Sequence, residues 1–197
     1  MILLIDNFDS FSHMLADYLR RTGVALEVVR NNVDLEDLKD KRYSGLVLSP
    51  GPGRPEDAGN LLSILDYFHD KLPVLGVCLG HQAIGHYFGA QLREGNKPMH
   101  GKVRFVTQVS LPKVFQHIPN RFQVTRYHSL VLDKLPDCLK LTLEGPEGEV
   151  MGIKHLTLPI MGIQFHPEAH LTEYGEQMIA HWVSTFTETF EKAILLD

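Results

Sequence analysis

Four short apolar runs in the first eighty residues each stop abruptly at an unusual loop, and this alternation limits the chain to few folds. The runs are Ile2–Ile5, Ala25–Val29, Gly45–Leu48 and Pro73–Val77. Between them the apolar residues recur at helical spacing: Phe11, Leu15, Tyr18 and Leu19, then Leu61, Leu62, Leu65 and Phe68. After the fourth run, Ala83, Ile84, Tyr87 and Phe88 repeat the pattern. A short run that is apolar throughout, rather than alternating, reads as a strand buried on both faces. Strands that alternate with helices need crossovers, which predicts an α/β fold with a doubly wound, mainly parallel sheet of the flavodoxin-like kind. In such sheets the site lies beyond the carboxyl ends of the strands. The loops that follow the runs carry the least ordinary sequences: Asp6-Asn7-Phe8-Asp9-Ser10, Ser49-Pro50-Gly51-Pro52-Gly53, and Cys78. Ser10 is expected to cap the first helix.

From Val103 to about Ile163 the texture changes. Short β-like segments at Val103–Val109, Arg121–Thr125, Leu139–Leu143 and Glu149–Lys154 are separated by turn residues such as Gly145-Pro146 and Gly148. They predict an antiparallel extension. Ile160–Ile163 reads as a returning buried strand. A final helix carries the stripe Ile179, Trp182, Val183, Phe186 and Phe190, a core-packing face. With 197 residues, no internal repeat and no linker, the chain is expected to form a single domain over 1–197.

Nineteen basic residues oppose 24 acidic ones, a net charge of −5 with no basic block, which argues against nucleic acid as a partner. Met1–Ile5 is too short for a membrane span and lacks a basic leader, so no membrane partner is expected and the chain is expected in the cytoplasm. The two cysteines, Cys78 and Cys138, have no metal-binding spacing. A disulfide between them is not expected in a reducing compartment. One reads as a nucleophile, and Cys138 as a buried small hydrophobe.

Gly76-Val77-Cys78-Leu79-Gly80 has the pattern of a nucleophile elbow with cysteine in place of serine. A sharp strand-to-helix turn exposes the nucleophile, and glycines two residues either side remove Cβ atoms that would clash. The helix start supplies unpaired N–H groups that favour negative charge on sulfur. The bland alternative is a buried cysteine between two packing glycines. A thiol nucleophile also needs a proton carrier and a group that orients it. His166-Pro167-Glu168 follows an apolar strand, and residues two apart in extended chain share a side. Glu168 then accepts from one ring nitrogen while the other faces Cys78. Alternatives are a solvated surface turn, or a weak metal site formed by His166, Glu168 and His170. For the oxyanion of an attacked amide, the candidates are the Leu79 amide and an amide of the Pro50–Gly53 loop.

These motifs resemble the class I glutamine amidotransferases. The residues concerned are Gly76 through Gln82, His166-Pro167-Glu168 and Ser49 through Gly53. Leu4 through Phe11, Met99-His100-Gly101-Lys102 and Arg126-Tyr127-His128-Ser129-Leu130 are further similar to the small subunits of anthranilate synthase and aminodeoxychorismate synthase. The resemblance runs from Met1 to the last helix. It implies Cys78 as nucleophile, His166 as acid and base, and Glu168 as its partner. It implies Gly51, Pro52, Gly53, Leu79, Gln82, Ser129 and Leu130 as contacts of L-glutamine. Nothing in the sequence itself offers a site for an acceptor, a nucleotide cofactor or a required metal. As the partner that holds the acceptor site, the resemblance implies a chorismate-utilising synthase large subunit. Ala169 and His170 stand where a serine and an aliphatic residue are usual, Val103 where a threonine is common, and Ser12-His13-Met14 replaces the usual start of the first helix. Rival readings are a cysteine hydrolase with the same triad, and a non-catalytic regulatory subunit on the same fold.

Overall fold

The computed structural model describes residues 1–95, 97–110 and 115–187. Strand β1 (Ile2–Asp6) leads to helix α1 (Ser12–Arg21), then β2 (Leu26–Arg30), the single turn α2 (Glu36–Lys39) and β3 (Gly45–Leu48). Helix α3 (Leu61–Phe68), β4 (Val74–Val77) and α4 (Leu79–Tyr87) follow. The second half holds β5 (Gln91–Glu94), β6 (Lys102–Gln108), β7 (Arg121–Arg126), β8 (Leu130–Asp133), β9 (Leu139–Glu144), β10 (Val150–His155) and β11 (Ile160–Ile163). Helix α5 (Gly175–Trp182) runs into a π-helical turn at Val183–Thr187. Phe190 of the expected stripe lies outside the described residues.

Nine strands form one sheet in the order β2-β1-β3-β4-β11-β10-β9-β6-β7. The first five are parallel to one another. β10, β9, β6 and β7 continue the sheet antiparallel. The expected extension therefore grows from the edge of the parallel block, through β11. A separate antiparallel pair, β5 and β8, was not foreseen.

Successive side chains of a strand point to opposite faces. Ile2 and Leu4 of β1, Val47 of β3 and Leu75 and Val77 of β4 join one apolar cluster with Leu15 and Leu19 of α1 and Ile179 and Trp182 of α5. Leu3, Ile5, Leu46, Leu48 and Val74 join the other, with Leu61, Ile64, Leu65 and Phe68 of α3 and Ala83 and Ile84 of α4. Each fully buried side chain of this kind contributes about 1.5–3 kcal/mol. A sheet buried on both faces is the physical reason the parallel strands read as unbroken apolar runs.

Two local expectations need correction. Ser10 does not cap α1, whose N-cap is Phe11 without a side-chain cap. Asp9 Oδ1 accepts from the Phe11 amide at 2.8 Å, and Ser12 Oγ donates to Asp6 Oδ1 at 2.6 Å. The carboxylates win because an ionised acceptor makes the stronger bond to an N–H at a helix start. Cys138 is half-buried at the margin of the α3 and α4 cluster, rather than fully buried.

Candidate functional site

Parallel strands put their carboxyl ends on one edge of the sheet, so the loops after β1, β3, β4 and β11 converge. β11 lies beside β4 in register, Ile163 opposite Val77, and the Cys78 amide donates to the Ile163 carbonyl at 2.9 Å. Cys78 has φ +52°, in the left-handed half of backbone space that side chains avoid. Two close approaches hold it there. A Cβ on Gly76 would meet the Gly80 carbonyl oxygen at 2.4 Å, and one on Gly80 would meet the Leu48 carbonyl oxygen at 2.3 Å. Helix α4 therefore starts hard against β3 and β4, and its first residue, Leu79, follows the thiol directly. The strain is sustained by surrounding packing, as at other functional turns.

His166 sits three residues past β11 and bridges to Thr125, its amide donating to the Thr125 carbonyl at 3.1 Å. Its Nδ1 donates to Glu168 Oε1 at 2.7 Å, and both residues are 2 % exposed. The pairing matches expectation, but its cause does not. The chain turns after His166, with the Ala169 amide donating back to the His166 carbonyl at 3.3 Å. Thr172 Oγ1 donates to that carbonyl at 2.6 Å and accepts from the Thr125 amide at 2.9 Å. A locked turn, rather than an extended strand, thus aims the carboxylate. Phe11 and Tyr127 pack against the imidazole, their ring centroids 5.0 and 5.1 Å from it. Nε2 has no nitrogen or oxygen partner among the described residues. Burial opposes charge on the ring, but the contacts with Cys78 and Glu168 outweigh it and push the pKa up to about 10.

A cavity of about 340 Å³ opens beside the thiol. Gly51, Pro52, Gly53, Cys78, Gln82, Ser129 and Leu130 line it, together with Arg54, Tyr127 and His128. Of the expected substrate contacts only Leu79 is outside the lining; its side chain packs on Gly51, where an added Cβ would come within 2.6 Å of it. Asn7, for which no role of its own was expected, fixes the glycine-rich loop. Its amide donates to Ser49 Oγ and its Nδ2 to the Ser49 carbonyl, each at 2.9 Å, while Asn31 Nδ2 donates to its Oδ1 at 3.0 Å. A polar residue directly after a buried strand was the available signal. The Met99–Lys102 loop reaches the rim: the Met99 amide donates to the His128 carbonyl at 3.0 Å, and His100 packs on Tyr127. Among the described residues, no three His, Cys, Asp or Glu side chains converge as a metal site. His170 instead lines a separate hollow of about 430 Å³ with His13, Met14 and Glu168.

Comparison with known proteins decides the family. The family described as Glutamine amidotransferase class-I matches residues 3–185. The chain belongs to the class-I glutamine amidotransferases. Within that family it is 43% identical over 188 residues to anthranilate synthase component 2 of Cyanophora paradoxa, covering 93% of this chain and 98% of the relative. It is 39% identical over 189 residues to aminodeoxychorismate/anthranilate synthase component 2 of Bacillus subtilis, covering 94% and 97%. Among solved structures, a Thermoplasma acidophilum protein named for a GMP synthase component superimposes with a TM-score of 0.88 at 28% identity, over 98% of this chain and 96% of that one. The class-I amidotransferase fold therefore accounts for the parallel block and its antiparallel extension together.

Proposed function

We propose that this amidotransferase hydrolyses L-glutamine and supplies the ammonia to a chorismate-utilising synthase, as its small subunit. One observation carries the hydrolytic reading: a thiol at a strained strand-to-helix turn, beside an imidazole bonded to a buried carboxylate, at the wall of a cavity sized for one amino acid. Cys78 attacks the side-chain carbonyl carbon of glutamine. The Leu79 amide, at the start of α4, and an amide of the Gly51–Gly53 loop stabilise the oxyanion. His166 protonates the departing ammonia, leaving a glutamyl thioester on Cys78. His166 then takes a proton from water, which attacks the thioester and releases glutamate. Glu168 holds the imidazole in the Nδ1–H form and stabilises its charge. Gln82, Ser129 and Leu130 hold the substrate, with Pro52 shaping the loop.

The synthase assignment rests on relatives that are named as second components and match nearly end to end. In this reading residues 1–197 form one amidotransferase domain that works in the cytoplasm without cofactor or metal. No helix among the described residues is long and apolar enough to cross a membrane. Substitution of Cys78 by Ser separates the two half-reactions. Reconstituted with the synthase, Cys78→Ser is expected to abolish glutamine-dependent product while ammonia-dependent product persists. Full glutamine-dependent synthesis by the variant would refute the assignment, and loss of both would place the defect in assembly.

A further inference from the structure

The Tyr127–Leu130 segment that lines the cavity is anchored by a chain of polar contacts that starts in the core. Arg126 and Glu149 are both buried, and Arg126 Nη1 donates to Glu149 Oε2 at 2.7 Å. Arg126 Nε donates to His128 Nε2 at 3.1 Å. A guanidinium has donors only, so Nε2 accepts and the ring proton sits on Nδ1. Nδ1 in turn lies 2.9 Å from the Leu130 carbonyl oxygen. Burial, together with the neighbouring Arg126 charge, lowers the His128 pKa to about 3, which keeps the ring in this neutral form.

The Leu130 carbonyl also accepts from Gln82 Nε2 at 3.1 Å. A carbonyl only accepts, so the Gln82 amide has one allowed orientation. Its Nε2 also donates to Gln164 Oε1 at 3.2 Å. That orients Gln164, whose Nε2 lies 3.7 Å from Cys78 Sγ. The donor and acceptor sense is thus set along the whole chain, from a donor-only cation at one end to a sulfur acceptor at the other.

Resting on the reading of Cys78 as nucleophile, we propose that Arg126, His128 and Gln164 are positioning residues that preset both the glutamine pocket and the attacking sulfur. Arg126 and His128 hold the Leu130 carbonyl, which turns the Gln82 amide so that its Oε1 is the acceptor left for a ligand in the cavity. Gln164, buried beside β4, directs an N–H at the sulfur where negative charge collects before attack. The two halves meet at Gln82, so a change at His128 acts on binding and a change at Gln164 acts on the thiol.

The test uses the full chain and two readouts: the rate at which iodoacetamide alkylates Cys78 at neutral pH, followed by peptide mass, and kcat and KM for glutamine hydrolysis. Arg126 variants are avoided because breaking a buried ion pair endangers the fold itself. Gln164→Met keeps side-chain length but loses the donor. It is expected to slow Cys78 alkylation and kcat by about tenfold, the size of one charge-assisted hydrogen bond, with KM within about threefold. His128→Phe is expected to raise KM about tenfold. His128→Asn, whose amide nitrogen can still serve the Leu130 carbonyl, is expected to recover most of that loss. Gln164→Met and His128→Phe indistinguishable from the parent protein would overturn the proposal. Should Gln164→Met fail to fold, the His128 pair decides, and an Asn variant no better than Phe overturns it. Cys78→Ala, measured alongside, separates the two readings. If it still hydrolyses glutamine, the nucleophile assignment fails; if it is inactive while the Gln164 and His128 variants are unaffected, the relay alone fails.

Discussion

In the proposed reaction His166 delivers a proton to departing ammonia, and its surroundings favour the protonated ring despite burial. The contacts with Cys78 and Glu168 that hold its pKa up to about 10 are also the contacts that aim it. Glu168→Gln keeps the shape but removes the charge. It is expected to lower kcat for glutamine hydrolysis by about a hundredfold, with KM within about threefold, since a triad carboxylate acts on the transition state. A rise in KM at unchanged kcat would instead make Glu168 a binding residue. At this scale Cys78, His166 and Glu168 were readable as candidates because each sits in a short motif close behind a buried strand, whereas Gln82, Ser129 and Leu130 of the cavity lining came only from the family resemblance. Arg126, Glu149 and Gln164 were not legible. Their partners are distant in sequence, and nothing local shows that an arginine ending one strand meets a glutamate entering another. The His166–Glu168 pairing was anticipated from strand periodicity but is produced by a turn, since Thr172, which locks it, reads in sequence as an ordinary loop residue.

Elements meet at this site with little clearance. A Cβ on Gly175, the first residue of α5, would fall 1.7 Å from the carbonyl oxygen of Pro167. That carbonyl belongs to the residue between His166 and Glu168, so only a glycine at 175 lets α5 start this close without pushing on the turn that aims them. Gly175→Ala is expected to destabilise the fold by about 1–3 kcal/mol, as overpacking does, and to lower glutamine turnover. Urea unfolding with a parallel glutaminase assay reads both. Unchanged stability and turnover would show that the turn is set without α5. The parallel strands were readable because both faces are buried. β5, Gln91–Glu94, was not, since three of its four residues are exposed and only Leu92 packs inward. Its partner β8 hid behind the Arg126–Leu130 motif, where an apolar run reads equally as a pocket wall. The order in which β10, β9, β6 and β7 extend the sheet depends on pairings between distant segments, which periodicity does not encode.

For the whole molecule, three histidines tie stability to pH in opposite directions. Burial drives His81 to about 3, and burial with Arg126 drives His128 to about 3, against about 6.5 when unfolded. Between pH 6.5 and 3 the unfolded chain holds more protons, so stability is lost as pH falls through that window, by up to about 1.4 kcal/mol per pH unit for each ring. His166, raised to about 10, is the reverse: its contribution is complete below pH 6.5 and is lost as pH rises toward 10. These rings together place maximal stability near pH 6.5, and urea midpoints across pH 4–9 check it. His81→Gln is expected to reduce proton uptake on acid unfolding by about one, and an unchanged slope would mean His81 is not the buried neutral ring. In the proposed reading the fold presents the Cys78 thiol to the cavity beside it, and this has a direct measurement. The chain is incubated with a diazo-ketone analogue of glutamine, which alkylates the residue that attacks it, and the site is mapped by peptide mass spectrometry. Stoichiometric labelling of Cys78, suppressed by glutamine and leaving Cys138 free, is the expected result. Label on Cys138, or labelling of Cys78 that glutamine does not suppress, would contradict the account.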